Sequence, residues 1–214
     1  IVGYREFYGM DIVCWDAALV PRPETEMLVD LALEEIERHG DALRIIDVGT
    51  GSGAVAVAIA GHAPGVRIIA ADASQDALAV AVKNIRAYSL ESRVTVRHAD
   101  LLDGAGVVDV IVANLPYVRD DEWQTLPPEI RDHEPRAALV GGTLGTEIIE
   151  RLIAQAPAHL ASGGVVAAEI GETQGDSLLA FARRFFPDAT AYVMKDLDGK
   201  DRILVIRREG EGIG

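Results

Sequence analysis

Short β-branched runs alternate with longer stretches of helical periodicity along nearly the whole chain. The runs predict strands at Leu43–Val48, Val66–Asp72, Val94–His98, Val107–Ala113, Gly164–Ile170, Ala189–Met194 and Arg202–Arg207. Between them, helices are expected at Pro23–Arg38, Gly53–Gly61, Gln75–Tyr88, Thr146–Leu160 and Thr173–Phe185. Pro23 suits the opening turn of the first helix, where its missing N–H costs nothing, and Glu24 and Glu26 complement the positive helix end. Strand–helix alternation of this kind implies an α/β fold, a mostly parallel sheet with helices on both faces. The last two strands are joined by Lys195–Lys200, whose Asp198-Gly199 pair suits a tight reversal, so the seventh strand should run antiparallel. A plain doubly wound dinucleotide domain would finish in a parallel strand.

Residues 1–20 read differently. Tyr4, Phe7, Tyr8 and Trp15 crowd around Gly9 between two apolar pieces, which fits a hairpin or connector, leaving 21–214 as the main domain. No internal repeat or low-complexity tract interrupts it, and the tail Glu209–Gly214 reads as frayed.

Composition narrows the class. A chain of 214 residues with 49% hydrophobic and 25% charged residues suits one globular domain. No apolar run approaches the roughly 20 residues of a membrane span, and the first residues lack a signal peptide's apolar core. The lone Cys14 rules out an internal disulfide framework and points to packing in a reducing, cytoplasmic setting. A net charge of −14 opposes a broad nucleic-acid footprint, because phosphate binding relies on cations. Arg22, Arg119, Arg131 and Arg136 flank the expected ligand edge, either as a local basic patch or as solvated and paired side chains. The five histidines show no ligand spacing, so no metal is expected, and no Gly-x-Ser-x-Gly elbow supports a hydrolase.

Two segments carry candidate chemistry. The strand Ile45–Val48 runs into Gly49-Thr50-Gly51-Ser52-Gly53, a turn whose glycines permit close backbone approach to a ligand at the opening of a helix. Gly49-x-Gly51-x-x-Ala54 also satisfies the dinucleotide fingerprint, and Asp72, placed to bind ribose hydroxyls, serves either cofactor class. Asp47 tilts the choice: an acid inside an apolar strand is costly without a task, and gripping the ammonium end of S-adenosylmethionine is one. Asp100 can accept from an adenine amino group while Leu101 packs on the ring; capping by Asp47 and solvation of Asp100 are the plainer readings. The second segment is Asn114-Leu115-Pro116-Tyr117, directly after the fourth strand. Pro116 has no N–H and keeps Leu115 extended, freeing its carbonyl. The Asn114 side-chain oxygen and the Leu115 carbonyl can then accept both hydrogens of a planar NH2, with Tyr117 stacked on its plane. Methylation of an amide or nucleobase amino nitrogen needs such a clamp.

With these residues, the chain resembles the HemK/PrmC family, the glutamine-N5 methyltransferases of peptide-release factors. The resemblance runs through Pro21-Arg22-Pro23-Glu24-Thr25-Glu26, Asp47–Gly53, Asp72, Asn114–Tyr117, Glu134-Pro135-Arg136 with Gly141-Gly142, and Glu169-Ile170-Gly171. It implies the class I S-adenosylmethionine-dependent methyltransferase fold, with Gly49 to Gly53, Asp72, Leu101 and Asn114 on the cofactor and Asn114 to Tyr117 on the substrate glutamine. It further implies class-1 peptide chain release factors as partners; a monomer with no direct nucleic-acid or membrane partner is expected. Arg22, Glu24, Glu134 and Arg136 would either take part in the site or only brace it. Two departures stand out. Leu115 replaces the family's first Pro in Asn-Pro-Pro-Tyr, giving a form shared with rRNA adenine-N6 dimethyltransferases. The family's helical N-terminal domain is not expected here, residues 1–20 resembling only the connector that follows it.

Overall fold

The computed structural model describes residues 3–14 and 18–210; Trp15, grouped above with the hairpin aromatics, and tail residues 211–214 lie outside the described residues. Strands β1 (Tyr4–Phe7) and β2 (Met10–Val13) pair antiparallel across Tyr8 and Gly9, both with positive φ. The buried side chains of Phe7 and Ile12 fasten this hairpin to the main body. A single 3₁₀ turn at Pro23–Thr25 then leads into helix α1 (Glu26–His39), so the predicted first helix begins tightly wound under its proline.

The alternating unit follows as expected: β3 (Arg44–Val48), α2 (Ala54–His62), β4 (Arg67–Asp72), α3 (Gln75–Ala87), β5 (Val94–His98) and β6 (Val108–Ala113). Short elements come next: β7 (Val118–Arg119), α4 (Pro128–Arg131), α5 (Arg136–Leu139) and β8 (Val140–Gly142). The chain closes through α6 (Glu147–His159), β9 (Leu160–Glu169), α7 (Gly175–Phe185), β10 (Thr190–Lys195) and β11 (Asp201–Arg207). Seven strands form one sheet in the order β10-β11-β9-β6-β3-β4-β5. Only β11 runs against the others, inserted antiparallel between β9 and β10. All seven predicted strands and all five predicted helices are present. The tail departs from expectation at Glu209, whose carbonyl accepts from the Gly163 N–H instead of fraying.

The two-residue period of the strands divides the core cleanly. Ile45, Val110, Val112, Val165, Ala167 and Val205 pack under α1, α2 and α3. Their neighbours Ile46, Ile111, Val166, Ala168 and Ile206 pack under α6 and α7. Helix α2 is buried over seven of its nine residues, which is why its sequence Ala54-Val-Ala-Val-Ala-Ile-Ala has no polar stripe. Both faces being covered, the parallel strands are apolar without alternation, and any acid within them stands out.

Candidate active site

The carboxyl edge of the sheet is where helices and strands part and ligands enter such folds. In register, Val48, Ala113 and Ala168 lie side by side on β3, β6 and β9, so the next residues, Gly49, Asn114 and Glu169, share that edge. A cavity of roughly 430 Å³ opens there. Its walls include Asp47, Gly49, Thr50, Gly51, Ser52 and Asp72 from the first half of the sheet. Asp100, Leu101, Asn114, Leu115 and Pro116 close it from the other side. Two expected residues are absent from the wall. Gly53 faces α3 instead, where a Cβ would approach that of Ala81 to 3.1 Å. Tyr117 packs against the core beneath α6 and α7.

The glycine turn is held from three directions. Gly49 and Thr50 both donate backbone N–H groups to the Ala71 carbonyl at 2.9 Å, tying the turn to β4. Gly51 N–H donates to Asp72 Oδ2 at 2.9 Å, and the other oxygen of Asp72 accepts from the Ser74 N–H at 2.8 Å. Behind the turn, the fully buried Asn84 of α3 donates to the Ser52 carbonyl at 2.8 Å. The same side chain accepts from the Val13 N–H and donates to the Val13 carbonyl, each at 2.9 Å, so the hairpin and the glycine turn are clipped to one amide. Gly49 is favoured by its φ of +71°, and a Cβ there would press on Leu115 Cδ2 at 2.8 Å and on the Asn114 carbonyl oxygen at 3.3 Å.

Asp47 is 1% exposed, and its Oδ2 accepts from Thr50 Oγ1 at 2.6 Å and from the Ala56 N–H at 3.2 Å. Burial lifts its carboxyl to about 7; those two hydrogen bonds pull downward, and the charge of Asp72 adds to the rise. Asp100 is neither simply solvated nor free: Arg151 of α6 pairs with its Oδ2 at 2.5 Å. Leu101 holds a φ of +53°, a conformation that non-glycine residues seldom adopt, which turns its buried side chain into the wall.

Asn114 is oriented by its neighbours. Its Nδ2 donates to Thr25 Oγ1 at 3.0 Å, and Thr25 in turn donates to Glu169 Oε2 at 2.6 Å. Tyr117 Oη donates to the other oxygen, Oε1, at 3.2 Å. Burial raises the Glu169 carboxyl above its ordinary range, opposed by those two donors and by Arg202. Burial likewise raises the Tyr117 phenol, assisted by the Glu169 charge. The Tyr117 carbonyl accepts from Gln174 Nε2 at 2.9 Å, fixing the far end of the clamp to the turn before α7. Thr25 and Glu169 were not among the predicted site residues. The signal for Glu169 was the one used for Asp47, an acid closing an apolar strand; Thr25 lies inside the opening helical turn, where nothing local sets it apart.

The excursion from β7 to β8 folds back over the opening, with Pro135, Ala137 and Ala138 lining the cavity. The four rim arginines are all paired: Arg22 with Glu134, Arg119 with Asp121, Arg131 with Asp132 and Arg136 with Asp120. Arg136 also lies over the Trp123 ring, 5.9 Å from its centroid. No basic patch is left free by these pairs. Among the described residues there is no cluster of three or more metal-ligating side chains, and no helix is long and apolar enough to cross a membrane.

Residues 25–127 match the family model of the Methyltransferase small domain. A release factor glutamine methyltransferase of Bacillus cereus is 38% identical over 215 residues, covering 98% of this chain and 75% of that protein. A namesake from Agrobacterium fabrum is 41% identical over 214 residues, covering 97% and 73%. The solved structure of the protein-(glutamine-N5) methyltransferase (release factor-specific) from Alicyclobacillus acidocaldarius is 30% identical with a TM-score of 0.56, covering 89% of this chain and 94% of that one. With identity at this level across nearly the whole chain and about three quarters of the relatives, this protein belongs to the release factor glutamine methyltransferase family.

Proposed function

We propose that the chain transfers a methyl group from S-adenosylmethionine to the side-chain amide nitrogen (N5) of a glutamine in the Gly-Gly-Gln loop of class-1 peptide chain release factors. The observation that carries this reading is the pair of acceptors at the cavity edge. Asn114 turns its nitrogen to Thr25, which leaves Oδ1 for a ligand. The Leu115 carbonyl receives no backbone N–H among the described residues. Leu115 itself is buried against Gly49, so its side chain does not block its own carbonyl. Tyr117, held through its hydroxyl and its carbonyl, fixes the far end of the tetrapeptide.

The residues of the cavity fit S-adenosylmethionine. At Gly51 the φ of +55° favours glycine, and a Cβ there would meet no protein atom closer than 3.9 Å, so the space beside the turn is open to a ligand. Asp72 stands at the same turn for ribose hydroxyls, and Asp47 lies behind it for a cationic end. When bound, the cofactor supplies a methyl group on a positively charged sulfur. An amide nitrogen is a weak nucleophile because its lone pair is delocalised. Two acceptors on its hydrogens favour the partly positive, pyramidal nitrogen that develops as the bond forms. Holding that nitrogen in line removes most of the orientational cost. No strong base is called for, since the proton leaves after transfer.

The test is to incubate the chain with S-adenosylmethionine and a release factor and map modified residues by mass spectrometry. One methyl on the glutamine of the Gly-Gly-Gln loop is expected. The tetrapeptide Asn-Leu-Pro-Tyr also favours a second reading, methylation of adenine N6 in rRNA or DNA; the charge of −14 opposes it. A methyl on adenine in a parallel incubation, with none on the release factor, would replace the first reading by the second. Binding of NAD in place of S-adenosylhomocysteine would overturn both in favour of a non-catalytic dinucleotide-binding protein.

Asp47 gives the cofactor site a pH dependence. With its carboxyl at about 7 in the free protein, a cation placed beside it favours the ionised form, so binding expels a proton. Cofactor affinity should therefore climb as pH rises from 6 to 8, and Asp47→Asn should flatten that climb. Stability of the free protein has the opposite sign. A carboxyl raised from 3.8 contributes most below that value and loses its contribution as pH approaches 7. Calorimetric titration at the two pH values checks the claim; equal proton release by wild type and Asp47→Asn would remove Asp47 from it.

A further inference from the structure

Thr25 closes the 3₁₀ turn that runs into α1, with helical φ −65° and ψ −20°. Here the side chain is 3% exposed and reaches across the sheet edge to two residues far away in sequence, Glu169 and Asn114. A hydroxyl has one proton. That proton is committed to Glu169 Oε2, the shorter contact at 2.6 Å. Towards Asn114, 3.0 Å away, Thr25 has only a lone pair to offer. The direction of the whole chain follows: carboxylate accepts from hydroxyl, hydroxyl accepts from amide NH2, and the amide oxygen is left pointing elsewhere. Asn and Gln amides are nearly symmetric in shape, so packing alone does not choose between their two orientations. A wrongly turned Asn114 would present NH2 to an incoming NH2.

We propose that Thr25 and Glu169 are positioning residues that lock the Asn114 amide with its oxygen toward the substrate, Glu169 setting the polarity and Thr25 relaying it. Glu169 serves this role from a buried site, 2% exposed, on the last residue of β9, and its second oxygen holds Tyr117 Oη at the other end of the same clamp. One carboxylate thus aligns both flanks of Asn114–Tyr117. Glu169 does not line the cavity, and Thr25 meets its wall with a side chain whose hydroxyl is already committed to Glu169. The inference rests on the amide-methylation reading above.

Thr25→Val keeps the shape and removes the hydroxyl; Thr25→Ser keeps the hydroxyl. With release factor as substrate, Thr25→Val is expected to lower kcat by about ten- to a hundredfold with KM changed by less than about threefold, and Thr25→Ser to restore most of kcat. Affinity for S-adenosylhomocysteine should stay within about threefold of wild type in both. A readout independent of turnover is the Asn114 side-chain NH2 pair in ¹⁵N–¹H spectra, identified by its disappearance in Asn114→Ala. The pair should shift on Thr25→Val and return on Thr25→Ser. An active wild type with Thr25→Val equally active, or with kcat falling only in step with cofactor affinity, would overturn the relay. So would an Asn114 NH2 signal indifferent to Thr25→Val. A wild type that leaves the release factor unmodified while the NH2 signal responds as described would instead retain the relay and refute the substrate.

Discussion

Asn114→Ala is expected to reduce turnover on a release factor by about two to three orders of magnitude, the cost of deleting one well-placed polar group that stabilises a transition state. The effect concentrates in kcat because the acceptor matters most when the nitrogen acquires positive charge. Cofactor affinity should suffer less, by about 1–3 kcal/mol at most for one lost hydrogen bond. Asn114 lies on the cavity wall beside Leu115 and Pro116, so some loss is expected. Among the described residues its side chain makes a single hydrogen bond, to Thr25, which survives with its stronger link to Glu169. Melting temperature should therefore stay within a few degrees of wild type. Single-turnover assays with mass-spectrometric readout, beside titration of S-adenosylhomocysteine, separate the two effects. Turnover within threefold of wild type would remove Asn114 from the chemistry, and a collapse of the fold would assign it a structural role.

Much of this site was legible in the chain before any coordinates, for identifiable physical reasons. Burial on both faces makes the strands apolar, so Asp47 and the residues after Ala113 announced themselves as departures. Periodicity located each strand of the sheet and each long helix, because those elements are long enough to show a period. Strands of two and three residues show none, and β7 and β8 were invisible for that reason. Their consequence was invisible too: the excursion they bracket lays Pro135, Ala137 and Ala138 over the cavity. Partnerships across long separations left no local trace. Thr25 and Glu169 are 144 residues apart, and Asn84 meets Val13 across 71. Arg22 and Glu134 are next to the cavity-lining Pro21 and Pro135, and nothing local marks them as partners of each other, 112 residues apart. Tyr117 shows the converse limit. Its place in the tetrapeptide suggested a ring on the ligand, whereas the fold first uses its hydroxyl and its carbonyl to pin the loop.

That pinning makes Gly141→Ala the sharpest probe of the clamp's backbone. Gly141 sits in β8, which runs parallel to β7 directly behind Pro116 and Tyr117. A Cβ at Gly141 would lie 2.5 Å from the Gly145 carbonyl oxygen and closer still to that of Pro116. Both obstacles are backbone, so no side-chain rotation relieves them. Restoring an ordinary C···O separation of about 3.3 Å requires the strands to part by roughly 1 Å. The neighbouring glycines leave no slack: a Cβ at Gly142 would strike the Glu147 carboxyl, and Gly145 has φ +78° with the Tyr117 carbonyl against it. Displacement must therefore pass into Pro116 and Tyr117. A misplacement of about 1 Å in a positioning group costs on the order of a hundredfold in rate. Overpacking of this kind also costs about 1–3 kcal/mol in stability. Gly141 does not line the cavity, and the glycine turn of Gly49–Gly53 is tied to β4 and α3 instead. Affinity for S-adenosylhomocysteine should thus remain near wild type while kcat/KM for the release factor falls by about a hundredfold. Equal losses in both would mean that the cavity and the clamp move as one body; no loss in either would mean that the tetrapeptide's backbone position is immaterial to methyl transfer.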